Sequence, residues 1–318
     1  MKFNKIHELR IQLPATTEQI GKLMYREKNW LIIRPPTTVE FVIKRSVHAQ
    51  SMSADIKIYN LSEKTRSKIF RDRYENFNFA APVSLWNQPR YVEFYAGYES
   101  DGQPLAPVFM GAIFYASSVR RGPNYVTILE CKDLHIFQYI KMSKFTLDKE
   151  VSKADIIRML YVDLMGSEAA AAGIIGGFTG TAKRGQVIFG PTFNSLSELT
   201  NGNFFVDLGK PISLLPGETI DNPAVRVLSP DTGLLNVPMK SATLAVADMM
   251  FTPELQVGQY VFVDGYKDRQ YNGFYGVQGI HHSGIISGTH DTQTTTKATL
   301  WNGKTITNIS ATGEKIGE

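Results

Sequence analysis

A pattern of strands and glycines occurs twice in this chain and limits the folds that the chain can adopt. Residues 91–98 read Tyr-Val-x-Phe-x-x-Gly-Tyr, and residues 260–266 read Tyr-Val-Phe-x-x-Gly-Tyr, with one residue fewer. In each copy a variable loop, a strand with a glycine and aromatic residues, and a closing strand follow; the closing strands contain residues 126–129 and 297–300. The same order of elements, found twice, predicts an internal duplication of a β domain.

All of the second copy except its closing strand lies in the stretch from Val225 to Ile280, which has strong β signals. Its strand segments are β-branched and aromatic, and clusters of turn residues such as Ser229–Gly233 and Asp264–Gly265 separate them. The stretch is therefore predicted to be a compact antiparallel β unit. Gly258 and Gly273 are predicted to be structural, at a turn or where strands pack too closely for a Cβ.

The other segments predict a first β-rich region and a mixed region after it. Alternating strands are expected at 39–44 and 54–59, then a short helix over 64–70 with Ser62 as its N-cap, then more strands up to Cys131. A helix starting at Ser152 and ending at Gly166, and a second one capped by Asn194 or Ser195, follow. Gly209–Lys210 is predicted to be a two-residue hairpin turn.

These segments give a mainly β fold with α+β elements and five parts. The predicted parts are an N-terminal arm (1–38), a β domain with an inserted helix (39–145), a small α/β module (146–218), a second β domain (219–305) and a polar tail (306–318).

Composition excludes several classes of protein. Hydrophobic residues make up 43% of the 318, charged residues 20%, and the net charge of +4 is too small to indicate nucleic-acid binding by itself. The single cysteine, Cys131, excludes an intrachain disulfide and is expected to be a buried, small apolar residue. No signal peptide and no membrane-spanning stretch is recognisable, so we expect synthesis in the cytoplasm and no membrane insertion.

Two groups of residues suggest a metal or phosphate site, but neither has the required pattern. His281 and His282 are neighbours on a strand and would face opposite sides of the sheet, and His290 has only Asp291 near it, so a metal site is not favoured. The loop from Gly177 to Arg184 contains Gly180 and Lys183, but it lacks the Gly-Lys pair and the preceding strand of a phosphate-binding loop. A loose surface loop is the preferred interpretation.

No catalytic residue can be assigned. Glu93, Glu130 and Asp207 occur singly on strands, where a solvated outer face is the simplest explanation, although a glycosidase pair could be distant in sequence. Basic residues are dense in the first β domain and alternate with acidic ones, which favours a mixed-charge solvated face. The basic residues are Lys44, Arg45, Lys57, Arg66, Lys68, Arg71 and Arg73; the acidic ones are Asp55, Glu63, Asp72 and Glu75. The sequence thus predicts no catalytic, cofactor-binding or metal-binding residue and no enzymatic activity.

Six motifs occur in order along the chain: residues 41–46 (Phe-Val-Ile-Lys-Arg-Ser), 54–62 with Thr65-Arg66, 190–196, 229–238, 253–258 and 273–281. Together they resemble the baseplate hub proteins of tailed bacteriophages, and the resemblance covers about residues 39–305. The chain departs from the family near its end: where a Gly-Asp and a Trp often follow the histidine, it has Ser283-Gly284-Ile285 and Thr289-His290-Asp291.

The resemblance implies a structural role in the virion. It implies two similar tube-like β-barrels that flank the α/β module, and a homotrimer whose six barrels form a ring. Such a ring would adapt a six-fold tail tube to a three-fold central spike. The implied partners are the tail tube or its initiator, the spike, the tape measure protein and the baseplate wedges, and the genome would pass through the ring without sequence-specific binding. A tail-associated cell-wall hydrolase and a carbohydrate-binding β protein are the alternatives.

Overall fold

The structure is a computed structural model of the whole chain. It describes residues 4–13, 30–47, 52–74, 90–133, 141–166, 172–221, 225–236, 239–241, 243–265, 271–288, 293–303, 307–309 and 315–316. The chain divides into two compact units, one of residues 1–43, 53–133 and 282–294, the other of residues 44–52, 134–281 and 295–318. The domain boundaries predicted at 38, 145, 218 and 305 stay predictions.

The first unit is built on one β-sheet. Its strands are β1 (Lys5–Gln12), β2 (Trp30–Ile33), β3 (Val39–Ser46), β4 (Ser53–Tyr59), β5 (Tyr91–Tyr98), β6 (Ala106–Arg121) and β7 (Asn124–Lys132). They are arranged in the order β3-β4-β7-β6-β5-β1-β2. Alternate side chains on β3 and β4 are buried, as the alternating sequence predicts, and the rings of Phe41 and Phe94 pack 5.0 Å apart in the core. Residues 5–12, within the predicted N-terminal arm, pair with β5.

One helix belongs to this unit. The helix α1 runs over Glu63–Tyr74, longer than the predicted 64–70, and Ser62 accepts a hydrogen bond from the Thr65 backbone N–H at 3.2 Å, as expected of an N-cap. Cys131 is buried, as predicted, and burial raises the pKa of its thiol.

The second unit contains a second set of five strands. These are β15 (Met239–Ser241), β16 (Leu244–Met250), β17 (Tyr260–Val263), β18 (Gly273–Ile286) and β19 (Thr294–Trp301), in the order β15-β16-β19-β18-β17. Numbered along the chain, both sets have the order 1-2-5-4-3, because β3 to β7 are arranged as β3-β4-β7-β6-β5. Strands β3 and β18 pair with each other, and each has residues in both units. Strand order therefore supports the predicted duplication, while superposition of the copies stays a prediction.

The rest of the second unit is the α/β region. It comprises β8 (Met142–Leu147), α2 (Lys153–Met165), β9 (Ile174–Ile175), β10 (Gln186–Pro191), α3 (Thr192–Thr200), β11 (Phe204–Asp207), β12 (Lys210–Ser213), β13 (Glu218–Ile220), β14 (Arg226–Leu228), β20 (Thr307–Ile309) and β21 (Lys315–Ile316). The Ser152 side chain caps α2 by accepting from the Asp155 N–H, and α2 ends at a left-handed Gly166, as predicted. One face of α2 packs into a core that also contains Leu196 and Phe204.

Three local predictions are wrong. The helix α3 begins at Thr192 after Pro191, ahead of the predicted caps Asn194 and Ser195, because the fixed φ of Pro191 suits the residue before a helix. The hairpin turn is Leu208–Gly209, since both of these residues have a positive φ, 48° and 75°. The stretch after Val225 is not purely antiparallel: β14 is parallel to β17, and the 31 residues between the two strands are long enough for a crossover connection.

Both glycines predicted to be structural have a left-handed backbone. Gly258 has φ 86° and Gly273 has φ 151°. A Cβ on Gly258 would also lie 3.0 Å from a methyl group of Ile220, whereas a Cβ on Gly273 would meet nothing within 4 Å. Backbone conformation therefore requires glycine at both positions, and packing requires it at Gly258 as well.

We expect Gly258→Ala to lower the free energy of unfolding by about 1–3 kcal/mol, because alanine is strained at this φ and must displace Ile220. Gly273→Ala has the same kind of strain without the contact, so its loss should be smaller. Urea unfolding of the two variants beside the wild type gives both values. Equal losses would show that packing at Gly258 contributes nothing.

Among the described residues, no helix is long and apolar enough to cross a membrane.

Candidate functional site

The histidine group does not form a metal site in the described part of the chain. His281 and His282 are adjacent on β18, where His281 is half-buried and His282 is buried. His290 and Asp291 lie outside the described residues. Burial, and then the charges of Lys44 and Lys297, lower the pKa of His281. Among the described residues, no three His, Cys, Asp or Glu side chains are placed to hold one ion.

The glycine-rich loop at residue 177 binds a carboxylate of its own chain. The Gly177 N–H donates to the two carboxylate oxygens of Glu218 at 2.9 and 3.2 Å, and the Leu215 N–H donates to Glu218 Oε2 at 2.7 Å. Lys183 and Arg184, at the other end of the loop, are exposed. The loop amide that a phosphate would need therefore anchors Glu218, the first residue of β13.

The three single carboxylates have different surroundings. Glu130 is exposed, as predicted, and Glu93 is half-buried and accepts a hydrogen bond from Tyr95 Oη at 3.1 Å. Asp207 was predicted to lie on a solvated face, and this is wrong: its side chain is 5% exposed and paired with Arg45. Arg45 Nε donates to Oδ1 at 2.8 Å and Arg45 Nη2 to Oδ2 at 2.5 Å.

This bidentate pair also corrects the prediction for Arg45, which is 1% exposed instead of part of a solvated basic face. The sequence signal was misleading because Lys44 and Ser46 beside it are polar, so the inward side of β3 is not recognisable there. Lys57, by contrast, pairs with Glu40 at 2.6 Å with both side chains partly exposed, as expected for a mixed-charge surface. Arg45 thus neutralises the Asp207 carboxylate, and Lys57 neutralises the Glu40 carboxylate. Neither carboxylate is arranged for acid–base chemistry.

The feature best suited to a function is a backbone edge of β6 that is open among the described residues. Ala112 pairs with Tyr91 of β5 and also with Lys132 of β7, so these two strands lie on opposite edges of β6. The β5 side ends where the Ile113 N–H donates to Arg90 O at 2.9 Å. From Ala116 to Arg121, β7 is the only strand in the described part of the chain that pairs with β6.

The alternation of backbone groups shows which residues face this edge. Tyr125 O accepts from the Asn60 N–H on the β4 side of β7 at 2.8 Å, so Val126 and its partner Val119 direct their backbone groups toward each other. Ser118 and Arg120, which alternate with Val119, therefore direct theirs to the open edge. The side chains nearby are partly apolar: Val119 is 43% and Tyr125 40% exposed.

The equivalent strand of the second set has no such opening. Strand β17 pairs with Gly273–Gly276 at the start of β18, as β5 pairs with the start of β6. Beyond that, β3 runs along β18: the Val47 N–H donates to Gln278 O at 2.9 Å, and the hydroxyls of Thr38 and Ser287 are 2.9 Å apart. The position that β3 fills on β18 is thus unfilled on β6 over Ala116–Arg121 among the described residues.

Comparison with known sequences gives a match over residues 23–158, to the family described as "Baseplate hub gp41". The resemblance to baseplate hub proteins is confirmed. The match covers the strands from β2 to β8 and the first six residues of α2. No curated protein matches the sequence of this chain.

Solved structures share the fold across most of the chain. A tail protein from Neisseria meningitidis MC58 has a TM-score of 0.53 at 12% identity, covering 94% of this chain and 97% of its own. The 43 kDa tail protein of prophage MuSo2 from Shewanella oneidensis has a TM-score of 0.54 at 9% identity, with 93% and 98% covered. A chain of a Francisella PdpA–VgrG complex has a TM-score of 0.51 at 8% identity, covering 100% of this chain and 54% of its own.

The hub match and the shared tail-protein fold support a structural role in a phage tail baseplate, and with it a place in the virion tail. The matched family is described as a baseplate hub, and two of these solved structures are described as tail proteins. The open edge of β6 was not recognised from sequence, although the length of the strand segment from 106 to 121, beyond the end of its partner β5, is a signal that could have indicated it.

Proposed function

We propose that this chain is a baseplate hub that forms a three-chain ring, in which the open edge of β6 accepts a strand of the next copy. The observation that carries the proposal is the repeated strand order. Each set of five strands would be one tube-like β domain, closed into a barrel or completed by its neighbour. Three copies would then give six similar domains around one channel.

The strand that fills the edge follows from the equivalence of the two sets. In the first set, β3 pairs with β4 on one side and with β18 on the other. Its counterpart in the second set is β15, which pairs with β16 and ends the strand order of that set. If the contact between two copies repeats the pairing of β3 with β18, then β15 of one copy pairs with Ala116–Arg121 of the next. Such a head-to-tail contact forms a closed ring when its rotation permits.

Edge pairing also explains why this strand can stay exposed in a single copy. An unpaired edge is a template for another chain, and a protein that keeps one with exposed Val119 beside it either protects or uses it. The hub match and the fold support use in assembly. The six-fold tube, the three-fold spike, the tape measure protein and the wedges are the proposed partners, and the similarity to a chain from a complex containing VgrG supports the spike among them.

The edge is testable with one residue. The backbone N–H of Ser118 faces the open edge, so Ser118→Pro removes a donor needed by an incoming strand while leaving the β7 side of β6 intact. We expect the wild type to be a trimer by native mass spectrometry and Ser118→Pro to be a monomer.

Ser118→Ala is the matched control, because the Ser118 hydroxyl lies 3.4 Å from Arg66 Nη1 and both variants lose that contact. The alanine variant keeps its N–H and should stay trimeric, and both variants should keep the wild-type circular dichroism spectrum. A proline variant that is folded and still trimeric would show that this edge is not the contact.

A hydrolase remains the alternative function because two carboxylates can be distant in sequence. No observation on the described residues favours it, since Asp207 is occupied by Arg45 and Glu93 by Tyr95. Clearing of peptidoglycan by the purified chain, lost on mutation of one Glu or Asp, would support the hydrolase.

A further inference from the structure

The two-stranded sheet of β8 and β10 has one apolar face that is exposed to solvent. The strands pair antiparallel, with Val187 opposite Thr146, Phe189 opposite Lys144 and Pro191 opposite Met142. These six side chains share one face, because pairs separated by two residues point the same way. Phe189 is 72%, Val187 70% and Met142 57% exposed, and Phe189 and Val187 are more exposed than any other large apolar side chain described.

The opposite face accounts for the stability of the sheet. Phe145 and Ile188 pack partly against the α/β core, and Leu147 is 3% exposed within it. The sheet is fixed at the end nearest α3, where the hydroxyls of Ser143 and Thr192 are 2.8 Å apart and the Thr192 N–H donates to Lys141 O at 2.9 Å. Packing of the inner face accounts for the folding of the sheet, and polar residues on the outer face would be equally compatible with folding. We call this outer apolar face the platform.

Charge indicates what covers the platform. Residues 141–150 and 181–191, which form the sheet and its flanks, contain five basic side chains and two acidic ones. The basic ones are Lys141, Lys144, Lys149, Lys183 and Arg184; the acidic ones are Asp148 and Glu150. Lys144 lies on the apolar face itself, as the cross-strand neighbour of Phe189. Lys149 pairs with Glu150 at 4.0 Å, so Lys144 is the cation on the face that an occupant would meet, and a carboxylate beside its apolar side chains would pair with Lys144.

The same charges argue against a two-fold contact of this face with a second copy of this chain. A two-fold contact through this face would bring Lys144 of one copy near Lys144 of the other, and like charges in a contact are unfavourable. The face is also small: from Val187 to Pro191 it extends about 13 Å, the length of a short extended segment. Such a patch suits a linear segment better than a large permanent interface.

We infer that the outer face of β8 and β10 is a docking site for an extended segment of another protein, with apolar side chains interleaved with Asp and Glu. Phe189 and Val187 bind the apolar side chains, and Lys144 pairs with a carboxylate. The inference does not depend on the ring, since it concerns a different surface and a different partner.

The test selects binding segments without assuming one. A yeast-displayed library of random peptides is selected on the full-length chain and counter-selected on the Val187→Thr/Phe189→Ser double variant. The selected peptides are synthesised and titrated by fluorescence anisotropy. Because both substituted side chains are exposed, the double variant should keep the wild-type fold, which circular dichroism checks.

We expect the selected peptides to be rich in apolar residues together with Asp and Glu. The double variant should bind them about tenfold or more weakly, and Lys144→Glu should also weaken binding, by about three- to tenfold. Leu235→Ser is the matched control, because Leu235 is another exposed apolar residue (54%) of the same unit, away from this face, and it should not change the affinity.

Four results would overturn the inference. The first is that no selected peptide depends on the face, and the second is that face-dependent peptides contain no acidic residues. The third is self-association of the wild type that Phe189→Ser abolishes, which would make a second copy the occupant. The fourth is Phe189-dependent binding to phosphatidylglycerol vesicles, which would make a lipid surface the occupant. None of these results bears on whether Ser118→Pro disrupts the ring.

Discussion

Removing the Arg45 guanidinium should lower the stability of the second unit by about 3–5 kcal/mol, because the Asp207 carboxylate would stay buried without its cation. The pair is bidentate and both side chains are at most 5% exposed. Arg45→Met keeps most of the side-chain volume and removes the charge. Hydrogen exchange of the amides in β11 and β12, compared between the wild type and Arg45→Met, reports the change in stability where it occurs. This measurement does not require the two units to unfold together.

Two further variants separate the charge from the packing. Arg45→Met/Asp207→Leu removes both charges, so it should be more stable than either single variant and closer to the wild type. Lys57→Met breaks the partly exposed pair with Glu40, which should cost less than about 1 kcal/mol. A loss in Arg45→Met no larger than that in Lys57→Met would contradict the account of a buried ion pair.

The first unit should lose about 3 kcal/mol of stability between pH 6.5 and pH 4 because of one histidine. The His7 side chain is 1% exposed, and neither ring nitrogen has a hydrogen-bond partner among the described residues. Burial lowers its pKa from 6.5 to about 4. In the unfolded chain His7 binds a proton below pH 6.5, whereas the folded unit does not until about pH 4. Acid therefore favours unfolding across this window, and the His7 contribution is constant below it.

His7→Leu should remove this dependence, because leucine has no proton to bind in either state. Urea unfolding of both proteins, followed by circular dichroism from pH 7 to pH 4, gives the difference in the free energy of unfolding at each pH. Carboxylates also titrate in this window, but they are common to both proteins and cancel in the difference. A difference that does not change with pH would show that His7 has the same pKa in the folded and the unfolded chain.

Much of the fold could be predicted because local sequence determines it. Alternation on β3 and β4, the Ser152 cap, the Gly166 end of α2 and the strand starting at Gly273 depend on residues close in the chain, and each is confirmed. The order of strands was also visible as a repeated pattern, because the Gly-Tyr motif, the strand with a glycine and aromatic residues and the closing strand occur twice in the same order.

What the sequence did not reveal depends on residues that are distant in the chain. Arg45 and Asp207 are separated by 162 positions, so neither their burial nor their pairing has a local signal. The parallel pairing of β14 with β17 is likewise a matter of topology. The open edge of β6 and the platform of β8 and β10 are defined by what does not pack against them, and a sequence pattern cannot show this before the partners of each strand are known.

The central claim is that three chains, each with two equivalent β domains, form the ring. Electron microscopy of the assembled particle tests it most directly, by counting chains around the axis and superposing residues 39–140 on residues 222–305 within one chain. The account predicts three chains and six superposable domains at equal spacing. Six chains in the ring, or two domains of different topology, would contradict it.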